Sequence, residues 1–129
     1  MPIFINPETV RAPSSSYVHG VLLAPHAKRL IISGQVGVRP DGAIAEGIKA
    51  QTEQAIDNLF EVIKAAQMDV TDIVKITTFC TRADQLAEMR EVRARKFGAH
   101  TPTSTLLIVA GLADPNFLIE IEAEAVREA

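Results

Sequence analysis

The chain has 129 residues, of which 47% are hydrophobic and 22% charged, and it carries a formal charge of −3. That size and balance predict one globular domain, residues 1–129, whose core needs no covalent staples. The acidic sum and a longest basic run of only Lys28-Arg29 argue against a nucleic-acid surface, and the single cysteine, Cys80, excludes an internal disulfide and suits a reducing, cytoplasmic setting. In chain order, Pro2, Pro7, Pro13 and Ser14-Ser15-Ser16 make the first sixteen residues poor in helix and only loosely strand-like. A short strand is expected over Tyr17–Leu23, and a second over Leu30–Val38. Gly34 interrupts that second strand, which marks a bulge or a close approach to the backbone. Pro40-Asp41-Gly42 signals a reverse turn.

From Ile48 to Met68 the apolar residues Ile48, Ala55, Ile56, Leu59, Ile63 and Ala66 recur at three- and four-residue steps, which predicts an amphipathic helix. Ile73–Thr81 is β-branched and aromatic, a strand by propensity. Thr81-Arg82-Ala83-Asp84 has capping-box spacing and predicts the start of a second helix whose inner side includes Leu86, Met89 and Phe97; Gly98 and Pro102 end it. Leu106–Ala110 follows, apolar on both sides of a strand: Leu106, Ile108 and Ala110 point one way, Leu107 and Val109 the other. After a loop at Asp114-Pro115-Asn116, the last strand alternates Ile119, Ile121, Ala123 and Ala125 with Glu120, Glu122 and Glu124, whose side must be wet or near cations. The whole reads as an α+β two-layer sandwich, with two helices on one face of the sheet. Two helices cover only one face, so the second apolar side of Leu106–Ala110 calls for another subunit, with clefts at the subunit boundaries. No stretch reaches the roughly 20 apolar residues of a membrane span, and Met-Pro-Ile-Phe-Ile-Asn-Pro lacks the form of a secretory signal.

Several short segments, in this order, carry a resemblance: Tyr17-Val18-X-Gly20, Ile32-Ser33-Gly34-Gln35, Gln54-Ala55-X-X-Asn58-Leu59, Ala65-Ala66 before Asp72-Ile73-Val74-Lys75, Pro102-X-X-Thr105, and Ile119-Glu120-Ile121-Glu122-Ala123-X-Ala125-Val126. Each is weak alone, but together they cover nearly the whole chain, which resembles the Rid family of enamine and imine deaminases. The resemblance implies a chorismate-mutase-like fold with a mixed six-stranded sheet and two helices on one face, assembled as a homotrimer with three intersubunit clefts. It also implies hydrolysis of small imines and enamines to keto acids and ammonia, without metal or organic cofactor. In the best-understood branch an arginine two residues after the proline grips the substrate carboxylate. A cysteine follows two residues later, and the first glutamate of the final strand handles water. This chain has Ser104 and Leu106 at the first two of these places. A guanidinium matches a carboxylate with two charge-assisted hydrogen bonds, whereas serine offers one neutral hydroxyl. Losing one partner of such a buried pair costs about 2–5 kcal/mol, roughly 30- to several-thousand-fold in affinity.

By the same resemblance, Glu120 and Tyr17 are the candidate catalytic residues, and Ser33, Gly34, Arg90, Ser104 and Thr105 the candidate substrate-binding ones. Each has a plainer alternative. Glu120 is also one of three glutamates that solvate a strand, and Tyr17 an amphipathic interface residue. Ser33 and Gly34 suit an ordinary bulge. Arg90, which replaces a helix asparagine, either brings a positive charge to the cleft or is a solvated arginine near Glu88 and Glu91. His19 shares a strand face with Tyr17; His26 and His100 show no metal-ligand spacing. Cys80 reads as a buried structural thiol with no activating neighbour. Two functions follow as expectations: a cofactor-free imine or enamine hydrolase with altered substrate preference, or a non-catalytic trimer that binds a metabolite or partner in the same clefts. Ribonuclease activity, the third possibility among relatives, fits the acidic balance least.

Overall fold

A computed structural model of the protein describes residues 2–14 and 16–128; Ser15, within the serine run of the N-terminal segment, lies outside them with Met1 and Ala129. The strands are β1 (Ile3–Ile5), β2 (Gly20–Leu22), β3 (Lys28–Val36), β4 (Ile73–Cys80), β5 (Thr103–Ile108) and β6 (Ile119–Arg127), and the helices are α1 (Gly47–Ala65) and α2 (Leu86–Phe97). The main sheet has four strands in the order β3-β6-β4-β5, while β1 and β2 form a separate antiparallel pair. β6 runs antiparallel to both of its neighbours, so β3-α1-β4 is a split β-α-β unit with the last strand inserted between its two. β4 and β5 are parallel, and α2 makes the crossover that such a pair requires.

The expected six-stranded sheet is therefore divided. The N-terminal pair joins the outer edge of β5 at one point, where the buried Val18 donates its N–H to the carbonyl of Pro102 at 3.1 Å. Pro102 has no N–H and ends the ladder upstream, so the contact remains an isolated bridge between Val18 and Thr103.

Both helices lie on one face. α1 buries Ile48, Ala55, Ile56, Leu59 and Ile63 against Ile32, Ile119, Ile121, Ala123 and Ala125, and α2 adds Met89 and Phe97. The predicted first helix stops three residues early, because Gln67 turns left-handed (φ 60°) and Met68 donates back to the carbonyl of Ile63. The predicted cap at Thr81 does not form. Its N–H is taken by the carbonyl of Leu118, and Arg82 holds the Asp84 carboxylate with two nitrogens at 3.0 and 2.7 Å. A single 3-10 turn, Ala83–Gln85, then leads into α2.

Gln51 shows why the last strand starts where it does. Buried on α1, it donates to the carbonyl of Asn116 at 2.9 Å and accepts from the N–H of Leu118 at 2.8 Å, which fixes the segment just before Glu120. Gly37 lets this part of α1 come close: a Cβ there would stand 2.6 Å from the Cα of Gln51. Asn58 pins the end of β3 by donating to the carbonyls of Val36 and Val38. Both residues of the Gln54…Asn58 motif thus serve the fold, with Gln54 orienting the Asn58 amide.

Leu106–Ala110 is shorter as a strand than expected, ending at Ile108. Leu106 packs on the core, but Leu107 keeps 46% of its surface exposed and Ile108 47%. Leu107, beside Phe79, lies on the face of the sheet away from the helices, and Ile108 is the last residue of β5. Among the described residues, no helix is long and apolar enough to cross a membrane.

Candidate functional site

Glu120 is the second residue of β6, opposite Val36 on one side and Phe79 on the other. Its neighbours Ile119 and Ile121 are buried under the helices, so strand alternation directs the carboxylate to the uncovered face. It meets β3 at the expected irregularity. The ladder slips between Ile32 and Gln35, leaving Ser33 and Gly34 opposite a single residue of β6. A Cβ on Gly34 would lie 1.9 Å from Oε2 of Glu120, so the carboxylate rests on bare backbone that only glycine leaves open. Glu120 makes no hydrogen bond or ion pair among the described residues, whereas Glu124 on the same strand is paired with Arg29 at 2.8 Å.

Ser104 is elsewhere. In the β4–β5 register it lies beside Ile76, on the helix-covered face, while Thr105 lies beside Thr77 on the open face. Adjacent strand residues cannot share a side, so one protomer does not bring Ser104 and Thr105 together. The Ser104 hydroxyl instead accepts from Nη2 of Arg93 at 2.9 Å. Arg93 and Arg90, one turn apart on α2, line a pocket of about 180 Å³ with Ser16, Ala94, Phe97, Gly98 and His100. The Arg93 guanidinium sits 5.9 Å from the Phe97 ring centroid. Burial first, and then the like charge of Arg90, lower its pKa from the ordinary arginine value.

Arg90 is exposed and makes no ion pair among the described residues; the carboxylate of Glu91 is taken by Lys49 at 3.5 Å. Tyr17 follows Ser16 at the edge of this pocket, its ring in T-shaped contact with His19 at 5.5 Å. Nε2 of His19 is itself 2.7 Å from the carbonyl of Arg11. His100 Nε2 is 2.7 Å from the carbonyl of Ile73. Cys80 is buried; burial raises its thiol pKa, and the neighbouring Arg90 only partly offsets this. An expected absence of basic neighbours is thus corrected, although burial still dominates. No group of three or more His, Cys, Asp or Glu side chains that could hold a metal occurs among the described residues.

The candidate residues therefore fall into two sets. Ser33, Gly34 and Glu120 meet at the β3–β6 bulge, and Arg90, Ser104 and the neighbourhood of Tyr17 meet where α2 faces β5. Arg93 was not singled out from the sequence, yet a signal exists. It continues the inward stripe Leu86, Met89, Phe97 at helical spacing, and a charge in such a stripe is seldom idle.

A family model described as endoribonuclease L-PSP matches residues 9–127. The 2-iminobutanoate/2-iminopropanoate deaminase of Salmonella typhimurium is 36% identical over 124 residues, covering 93% of this chain and 94% of that protein. Among solved structures, the Rid protein YyfB of Yersinia pestis superposes with a TM-score of 0.84 at 34% identity, over 96% of this chain and 97% of that one. Escherichia coli TdcF with bound serine gives 0.75 at 30% identity, over 98% and 99%. Matched along nearly its whole length in sequence and in fold, the chain belongs to the Rid family, whose named members include reactive intermediate deaminases.

Proposed function

We propose that the protein is a cofactor-free hydrolase of small imines or enamines. Water adds its oxygen to the imine carbon, the C–N bond breaks, and a carbonyl compound and ammonia leave. Glu120 takes a proton from the attacking water and passes it to the imine nitrogen, then takes the hydroxyl proton of the resulting carbinolamine and passes it to the departing ammonia, and the Tyr17 hydroxyl orients the substrate. Ser33, Gly34 and Thr105 line the site. The observation that carries this reading is the unpaired Glu120 carboxylate lying over the open backbone of Gly34. The names of the relatives, two of them 2-iminobutanoate/2-iminopropanoate deaminases, point the same way.

Ser33, Gly34 and Glu120 lie at the β3–β6 end of one protomer, whereas Thr105 is on β5 and Tyr17 follows Ser16 of the pocket beside Ser104. In this reading a second copy of the chain joins them, the β3 edge of one protomer meeting the β5 edge of the next around a homotrimer. The exposed Leu107, and Ile31 at 63% exposure, support a protein neighbour over the open face. A free, buried cysteine suits the cytoplasm.

The test is accelerated disappearance of imines, generated by an amino-acid oxidase and followed by semicarbazide trapping, with acidic, neutral and amide-bearing substrates. No acceleration over spontaneous hydrolysis for any of them refutes the proposal. A second reading, a trimer that binds without turnover, rests on Ser104 and Leu106 standing where the best-understood relatives have arginine and cysteine. It predicts ligand-induced thermal shifts with no substrate consumed.

A further inference from the structure

α2 carries four basic residues in its last eight positions, Arg90, Arg93, Arg95 and Lys96. Two of them are neutralised by α1: Arg95 lies 3.4 Å from Glu53, and Lys96 pairs with Asp57 and Glu53. The other two face the pocket beside Ser104, and neither makes an ion pair among the described residues. Two like charges one helical turn apart repel each other. Holding one of them half-buried without a carboxylate is costly unless an anion supplies the missing charge. Arg93 is moreover held in place: Ser104 fixes one Nη2 hydrogen, and the guanidinium lies near the ring of Phe97. Its remaining donors are left for a ligand. Ala94, Phe97 and Gly98 complete an apolar flank of the same pocket, which suits a short carbon chain attached to the anion.

We infer that Arg93, positioned by the Ser104 hydroxyl and assisted by Arg90, is the carboxylate anchor of this protein. The anion is held from helix α2 and not from strand β5. The inference rests on the proposed hydrolase reading only for the identity of the molecule that bears the carboxylate; the anchor itself is a binding property. Its specificity follows from geometry, since a planar guanidinium matches a planar carboxylate and the apolar flank rejects a second charged group.

Calorimetric titration of the full-length protein with propanoate, propanamide and inorganic phosphate tests it without turnover. Propanoate is expected to bind and propanamide not to. Arg93→Met, which keeps the packed stem, weakens propanoate by about 30-fold, the low end for loss of one partner of a buried charge pair. Adding Ser104→Arg to Arg93→Met restores most of the affinity, because residue 104 borders the space that the guanidinium occupied. Should Arg93→Met fail to melt cooperatively, Arg90→Gln, at an exposed position, gives a smaller loss of roughly fivefold.

Equal binding of propanoate and propanamide, tighter binding of phosphate than of propanoate, or unchanged affinity in Arg93→Met or in Arg90→Gln each overturns the inference. Those results leave imine hydrolysis untouched. Conversely, Arg93-dependent propanoate binding by a protein that accelerates no imine's hydrolysis sustains the anchor and removes the hydrolase.

Discussion

The two ends of the sheet use opposite devices to present a charge. At the β3–β6 bulge, strand alternation turns Glu120 outward, and a glycine clears the backbone beneath it. The charge there is negative, lies on the uncovered face and has little around it to hold it. Where α2 faces β5, the charge is positive and partly buried, and it is held by a hydroxyl and an aromatic ring. One end exposes a group that can move protons; the other fixes a group that can hold an anion. Two opposite charges are thus set at separate places, each by a different kind of local structure.

The sharpest separation comes from removing each charge in turn. Glu120→Gln is expected to lower kcat for imine hydrolysis by about 100-fold or more, the range of a lost general base, and to leave propanoate binding within about twofold. Arg93→Met does the reverse, raising KM for acidic imines far more than it lowers kcat. If Glu120→Gln and Arg93→Met alter kcat and KM in the same proportion, the two regions do not have distinct roles.

Two glycines of β3 and its exit loop sharpen the contrast further. Gly34→Ala places a Cβ against the far end of a flexible side chain, so Glu120 swings aside at little cost to the fold. Activity is expected to fall by roughly 10- to 100-fold, as for a misplaced catalytic group, with a nearly unchanged melting temperature. Gly37→Ala meets the Cα and Cβ of Gln51 at 2.6 and 2.7 Å, which cannot swing aside. Forcing β3 and α1 apart costs about 1–3 kcal/mol of stability, measured by urea unfolding. Equal losses of stability in the two variants contradict this division.

Much of the fold was legible because it follows from period and punctuation. The 3.6-residue stripe of α1, the alternation of β6 and the glycine bulge of β3 are each written in neighbouring residues. What escaped depends on distant partners. Thr81 and Asp84 have the spacing of a cap, yet Leu118 and Arg82 claim their polar groups. β2 is an ordinary short strand that pairs with β1, and the bridge from Val18 to Thr103 ties this segment to β5. At the site, Gly34 and Glu120 were legible as a bulge and an outward-facing acid, but their contact was not. Ser104 and Thr105 are both candidate binding residues in the sequence, and strand alternation sends them to opposite faces. Arg93 was hidden because charge on a helix is ordinarily solvated, and only its place in an apolar stripe marked it.

A last and smaller effect tests whether the two ends are independent of the sheet that joins them. Thr78 lies midway, beside Ile121 of β6 and Leu106 of β5, fully buried with a hydroxyl that has no hydrogen-bond partner among the described residues. A buried, unsatisfied hydroxyl carries a desolvation penalty, and valine has nearly the same shape and a high strand propensity. Thr78→Val is therefore expected to stabilise the protein by about 1 kcal/mol, raising the melting temperature by a few degrees for a domain of this size. Because the substitution touches neither Glu120 nor Arg93, both imine hydrolysis and propanoate affinity should match those of the unaltered protein. A variant that is more stable but has lost either one would show that the centre of the sheet transmits between its edges. Glu120 and Arg93 would then have to be treated as one coupled unit.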